Sequence, residues 1–144
     1  MRKALTAVAA AAALAAPVAN AAQIAKKKPL HKKRVVTVKK KVVGAMGNAG
    51  QWGQVEITLL VKKTTTILGK KKTVKRKIVD VGVPIYPNHT GRSIFINEQA
   101  LPYLRHEVLQ AQFNANIYLI SGATYTSYAF VQSLQAALLK AEHV

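Results

Sequence analysis

The stretch Ile117-Tyr118-Leu119-Ile120-Ser121-Gly122-Ala123-Thr124-Tyr125-Thr126-Ser127 sets a short apolar run against a turn of small and hydroxyl-bearing residues. Ile117–Ile120 reads as a buried strand. Beyond Ser127, Phe130, Leu134, Leu138 and Ala141 recur at helical spacing, so the junction predicts strand, turn and helix N-terminus in succession. A glycine-containing turn of this kind aims backbone N–H groups and the positive end of the helix dipole at one spot, which suits an anion such as phosphate. A Ser/Thr cluster before a helix is equally the composition of an N-cap, which alone accounts for Thr124, Thr126 or Ser127. On these residues alone both readings stand.

Upstream of this junction the chain reads mainly as strands. Between Gln51 and Lys63, Trp52, Gln54, Glu56, Thr58 and Leu60 alternate with Val55, Ile57, Leu59 and Val61. The second set is apolar throughout and should face the core. Arg34–Val43 is β-like through Val35, Val36, Val38, Val42 and Val43. The intervening Gly44–Gly50 reads as a glycine-punctuated loop. Thr64–Thr73 reads as a hairpin connection around Gly69. A strand resumes over Val74–Tyr86, marked by Pro84 and Pro87 as an edge strand. Asn88–Arg92 reads as a loop. A helix follows over Asn97–Gln112 with Leu101, Leu104, Val108 and Ala111 as its apolar stripe, and Pro102 should delay its start or kink it. The order β-β-β-α-β-α predicts one small α+β domain, an antiparallel sheet packed against helices.

At the N-terminus, Arg2 and Lys3 precede a run of mostly Ala, Leu and Val, and Ala19-Asn20-Ala21 forms a small-x-small site. Residues 1–21 read as a secretory signal peptide, so the mature chain is expected outside the cytoplasm, periplasmic or extracellular. Residues 22–43 read as a basic arm leading into the first strand, and 44–144 as the folded domain.

The formal charge is +17, with Lys and Arg gathered between Lys26 and Lys41 and between Lys62 and Lys77. Such a chain attracts polyanions, and for an exported protein these are anionic envelope polymers or lipids. The clusters have no interleaved aromatics, and nucleic acid is not an expected partner.

Conventional catalytic patterns do not appear. The acidic residues Glu56, Asp80, Glu98, Glu107 and Glu142 form no close pair for glycoside chemistry. The four histidines lack metal-ligand spacing, and there is no cysteine to act as nucleophile or ligand. No G-x-S-x-G elbow, Rossmann or P-loop pattern is present. Any redox chemistry has to come from an organic cofactor.

Taken together, Gly50-x-Trp52-Gly53-x-Val55, Tyr86-Pro87-Asn88, Gly91-Arg92, Ile96-Asn97, Ala100-Leu101-Pro102 and Ser121-Gly122-Ala123-Thr124-x-Thr126-Ser127 resemble the FMN-binding domain family. That family includes the periplasmic flavin-carrying subunits of sodium-pumping quinone reductase and related complexes, and small exported versions. The resemblance covers roughly residues 44–142. It implies an exported electron-transfer flavoprotein rather than an enzyme with its own substrate, with a membrane-bound reductase or electron carrier as partner. It implies FMN as cofactor, with Ser121, Gly122, Ala123 and Thr124 as the attachment turn. Where the family's flavin is covalent, a flavin transferase esterifies its phosphate to the last threonine, here Thr124. Thr126 and Ser127 would hydrogen-bond the phosphate or cap the helix. Arg92 is either a phosphate partner or an ordinary exposed loop residue. The covalent motif usually has an aspartate where this chain has Tyr118, so covalent and dissociable FMN both remain open. Tyr118 itself is expected to pack in the sheet. The alternative reading is a non-redox, basic envelope-binding module that has lost its flavin.

Overall fold

A computed structural model of the protein describes residues 31–144. The expected signal peptide and residues 22–30 of the basic arm lie outside the described residues. The chain forms strands β1 (Lys33–Val43), β2 (Gly47–Asn48), β3 (Gln54–Leu68) and β4 (Lys71–Ile85). Helices α1 (Gly91–Ala111) and α2 (Thr124–Ala141) follow, and a 3-10 turn at Gly50–Trp52 links β2 to β3. All strand pairing is antiparallel, with β1, β2 and β4 each paired to β3.

The α+β class holds, but the order is β-β-β-β-α-α. The strand expected at Ile117–Ile120 is irregular backbone: Ile117 and Ile120 tuck partly against the core, while Tyr118 is 80% exposed. The Gly44–Gly50 segment, expected as loop throughout, contains β2. The Thr64–Thr73 segment is not a connection. The β3–β4 ladder runs on to Leu68↔Lys71 and turns over Gly69 and Lys70 alone. Both hairpin strands have 15 residues, far beyond the usual five or six. β4 pairs only with β3, so Pro84 does sit on an edge strand, in the irregularity of register between Glu56↔Ile85 and Thr58↔Gly82.

Val55, Ile57, Leu59 and Val61 are fully buried, as the alternation of β3 requires. Against them pack Phe130, Leu134 and Leu138 of α2 and Leu101, Leu104 and Val108 of α1. α1 begins at Gly91, earlier than expected, because Thr90 caps it: its Oγ1 accepts the Ser93 N–H at 3.1 Å. The helix carries through Pro102, whose missing N–H leaves the Glu98 carbonyl without its helical donor. Both residues are exposed, so water can serve that carbonyl.

α2 is fixed by a break in the sheet edge. After Val43↔Thr58 the chain leaves the β3 ladder, and it rejoins at Gly47↔Val55. In the gap, the Gly44 N–H bonds the Ile57 carbonyl at 2.8 Å, and the buried Ile57 N–H donates to Ser133 Oγ of α2 at 2.9 Å. A helix side chain thus completes the ladder. Gln132 Oε1 accepts the Asn48 N–H at 3.0 Å, and Lys140 Nζ donates to the Val43 carbonyl at 2.9 Å, extending the clamp along α2. The helix can come this close because Gly44 and Gly47 have no side chain. A Cβ at Gly47 would overlap the Ala129 carbonyl, and one at Gly44 the Ser133 carbonyl.

Gln112, which ends α1 at a positive φ of 57°, plays a similar part at β4. Its side-chain amide accepts the Ile78 N–H at 2.9 Å and donates to the Ile78 carbonyl at 3.2 Å, as a neighbouring strand would.

Gly47→Ala is expected to destabilise the fold by about 3 kcal/mol, the upper range of overpacking costs. Ser133→Ala should cost about 1–3 kcal/mol by orphaning the Ile57 N–H. Gly82→Ala is the control, since a Cβ there meets nothing closer than 3.8 Å. It should change stability by less than about 1 kcal/mol in urea unfolding.

Candidate functional site

The N-terminus of α2 opens onto a cleft of about 310 Å³. Three segments far apart in sequence build it. The 3-10 turn contributes Trp52, the end of the sheet and the first turns of α1 contribute Pro87, Arg92, Ser93, Ile96 and Asn97, and the α2 junction contributes Gly122–Thr126. Trp52, Pro87 and Ile96 make an apolar wall. Trp52 is held by His89, whose ring stacks on it at a centroid distance of 6.5 Å and 21° between planes.

The α2 junction is built for an open helix end. Gly122 has φ +84°, a conformation strained for any residue with a Cβ, and it turns the chain into Ala123 and the helix. No side chain caps α2. The first amide to find a helical acceptor is that of Ser127, which bonds the Ala123 carbonyl at 2.9 Å. The amides of Thr124, Tyr125 and Thr126 therefore have no intrahelical acceptor and stand at the positive end of the helix dipole. The capping reading of the Ser/Thr cluster is thereby corrected. In α1 the threonine before the helix is the cap, whereas here the position before the helix is Ala123.

Residues singled out from sequence divide in two. Gly122, Ala123, Thr124, Thr126 and Arg92 are brought together around the cleft. Arg92 lies in the first turn of α1 rather than in a loop, which is why its side chain shares this space. Ser121 and Ser127 are not part of the lining. Ser127 is fully buried, and its Oγ accepts the Ile120 N–H at 3.1 Å, fastening the irregular Ile117–Ile120 segment to α2. Tyr118 neither packs in the sheet nor lines the cleft, and its ring projects into solvent.

One lining residue, Asn97, drew attention in the sequence only as part of a short motif. It is 2% exposed, and its Nδ2 donates to the Pro87 carbonyl at 2.7 Å. Its Oδ1 is buried without any hydrogen-bond partner, the only such side-chain atom found among the described residues. An orphaned buried acceptor costs about 1–3 kcal/mol, so its place in a cleft wall points to a donor supplied by a ligand. Trp52 was expected within a strand. No local pattern foretold that the 3-10 turn would swing it over the cleft.

An apolar wall, an unpaired acceptor, an arginine and an uncapped helix N-terminus fit a planar heteroaromatic group that bears a phosphate. The comparison of sequences agrees. The profile of the FMN-binding domain matches residues 50–139, well over half of the chain, and the match includes every residue lining the cleft. No curated protein and no solved structure matches. The chain belongs to the FMN-binding domain family, and FMN is its cofactor.

Removing the Ser127 hydroxyl should loosen the segment it holds. In Ser127→Ala, hydrogen exchange at the Ile120 amide is expected to quicken about fivefold, the equivalent of about 1 kcal/mol for one hydrogen bond. The Ile57 amide, held by Ser133, should exchange as in the parent.

Proposed function

We propose that this member of the FMN-binding domain family is an exported electron-transfer flavoprotein that holds the FMN phosphate at the N-terminus of α2. Thr124 carries the phosphoester when a flavin transferase acts on the chain. The single observation behind this is the junction of an uncapped 18-residue helix with a cleft whose wall contains the orphaned Asn97 Oδ1. Trp52, Pro87 and Ile96 would hold the flavin ring system, Asn97 Oδ1 would accept one of its donors, and Arg92 would face the phosphate. FMN supplies the one- and two-electron chemistry when bound. The protein's own part is to bind, orient and partly shield it.

Thr124 is favoured as the ester position over Thr126 because Thr124 is exposed, whereas Thr126 is buried within the first turn of α2. An exposed hydroxyl is open to a transferase, and an ester there stays beside the free amides. Export rests on the signal-like residues 1–21. It sets the partner as a membrane-bound reductase or electron carrier facing outward. The cleft is open on the side of Trp52 and Tyr125, which are 37% and 63% exposed, so such a partner has access to it.

The test is intact mass and colour of the mature protein made beside a flavin transferase. A gain of one FMN less one water, lost in Thr124→Ala, is the expected result. In protein made without the transferase, Arg92→Ala should weaken FMN binding roughly tenfold or more and leave riboflavin, which has no phosphate, nearly unaffected. A colourless product that gains no mass and binds no added FMN would overturn the reading and leave the non-redox, basic envelope-binding alternative.

A further inference from the structure

The described part of the first lysine cluster and the second cluster form one surface. β1 pairs with β3 and β3 with β4, so residues 33–41 and 62–77 form a three-stranded ribbon beyond the helix-covered part of the sheet. None of these residues is buried, whereas β3 from Val55 to Val61 is largely buried. Every ionisable side chain within the two segments is a lysine or an arginine.

The register aligns these charges instead of staggering them. Lys39 lies opposite Lys62, and Lys62 opposite Lys77, giving a row of three ammonium groups across the ribbon on one face. Cα atoms of opposed residues are about 4.5–5.5 Å apart, so the charges repel at close range. One row further along the same face, Thr37 and Thr64 stand opposite Lys75. One row in the other direction lies Lys41. That row ends at Asp80, which is engaged by Arg105 at 3.5 Å. The opposite face mixes Arg34, Lys40, Lys63, Lys72 and Arg76 with the apolar Val36, Val38, Ile67 and Val74, and Arg76 there donates from Nε to the Val144 carbonyl at 2.9 Å.

Opposed like charges destabilise a sheet, so a row with no acidic residue to relieve it marks a place where a partner supplies the counter-charge. The face offers point charges and threonine hydroxyls and no aromatic ring, and there is no aromatic residue anywhere in β1, β3 or β4. Stacking on nucleic-acid bases therefore has no platform. The apolar side chains of this face, Val35, Leu60 and Leu68, lie toward its two ends and outside the Lys39–Lys62–Lys77 row, and the aromatic anchor of a membrane-surface element is missing. Ammonium and hydroxyl groups in parallel rows match a linear chain of phosphates, whose charges repeat and whose backbone needs no stacking.

We propose that the Lys39–Lys62–Lys77 face of the ribbon binds a flexible, linear phosphate polymer, laid along the face and flanked by Lys41 and Lys75. This goes beyond the flavin reading and does not depend on it, because the face shares no residue with the cleft.

Long-chain inorganic polyphosphate is the probe, titrated into the mature full-length protein at several salt concentrations. In K39Q/K62Q/K77Q the affinity at low salt should fall tenfold or more. The slope of log K against log salt should shrink by about 2, since each phosphate contact on a single chain contributes about 0.7. K40Q/K63Q/K72Q removes the same charge from the opposite face and should change the slope by less than half as much. The first variant should also melt higher than the parent at low salt, which shows that it is folded and that the row is repulsive. FMN content is measured in parallel and should be equal in all three proteins, so that loss of flavin and loss of polymer binding are separate results. Equal losses from both faces would overturn the proposal in favour of diffuse attraction. Tighter binding to phosphatidylglycerol vesicles than to polyphosphate would overturn it in favour of a membrane, and tighter binding to duplex DNA in favour of nucleic acid.

Discussion

The contact on which the fold depends is the approach of the α2 backbone to the gap between β1 and β2. The sheet edge is interrupted there, and an interrupted edge leaves the Ile57 N–H inside the protein with no strand to receive it. Ser133 Oγ receives it, and Gly44 and Gly47 let the helix sit near enough to do so. Leaving a buried donor unpaired costs as much as a sizeable share of the net stability of a small domain. The hydrogen bond and the close packing therefore require each other: without either one, the other loses its geometry.

That one contact also places the cleft. With Ala129 and Ser133 held against the edge, the first turn of α2 is fixed about one helical turn before Ala129, and the open amides of Thr124–Thr126 go with it. The 3-10 turn that carries Trp52 leaves the same edge just past β2, so wall and helix end are referred to one point of the sheet. The third side, the start of α1, is tied to the chain after β4 by Asn97 Nδ2 on the Pro87 carbonyl. Three segments distant in sequence meet because each is anchored near one end of β3. Ser127 adds a smaller tie, keeping the approach to Gly122 in place although no strand precedes it.

Much of this was legible in the residues. The alternation of Val55, Ile57, Leu59 and Val61 named the inner face of β3, and the stripes through Leu104 and Phe130 named the helix faces, because burial imposes those periods directly. Gly122, Thr124 and Arg92, which line the cleft, stand out in the sequence because their motifs carry local chemistry. The Ile117–Ile120 run misled because four apolar residues do not distinguish a strand from a segment with only its end residues tucked inward. Gly44 and Gly47 looked like loop punctuation, since close approach to a helix some 85 residues later leaves no local trace. Asn97 and Gln112 were hidden for the same reason: an amide that pairs with distant backbone looks like any polar residue on a helix. Gly69 marks the turn, but nothing local shows how far the ladder runs toward it, and Val and Thr on both sides carry the strands on to Leu68↔Lys71.

β3 thus serves two ends under opposite physical regimes. Its first half is apolar, buried and crossed by helices, and the cleft is assembled at that end. Its second half is only partly buried and contributes no residue to the core. Cross-strand hydrogen bonds and β-branched side chains have to hold it against the repulsion of aligned lysines. Such a ribbon persists because it continues a strand that is already fixed: extending a formed ladder orders fewer residues per bond than starting one. The buried half is what allows the charged half to persist, and a change at the lysine face has little leverage on a cleft that shares none of its residues.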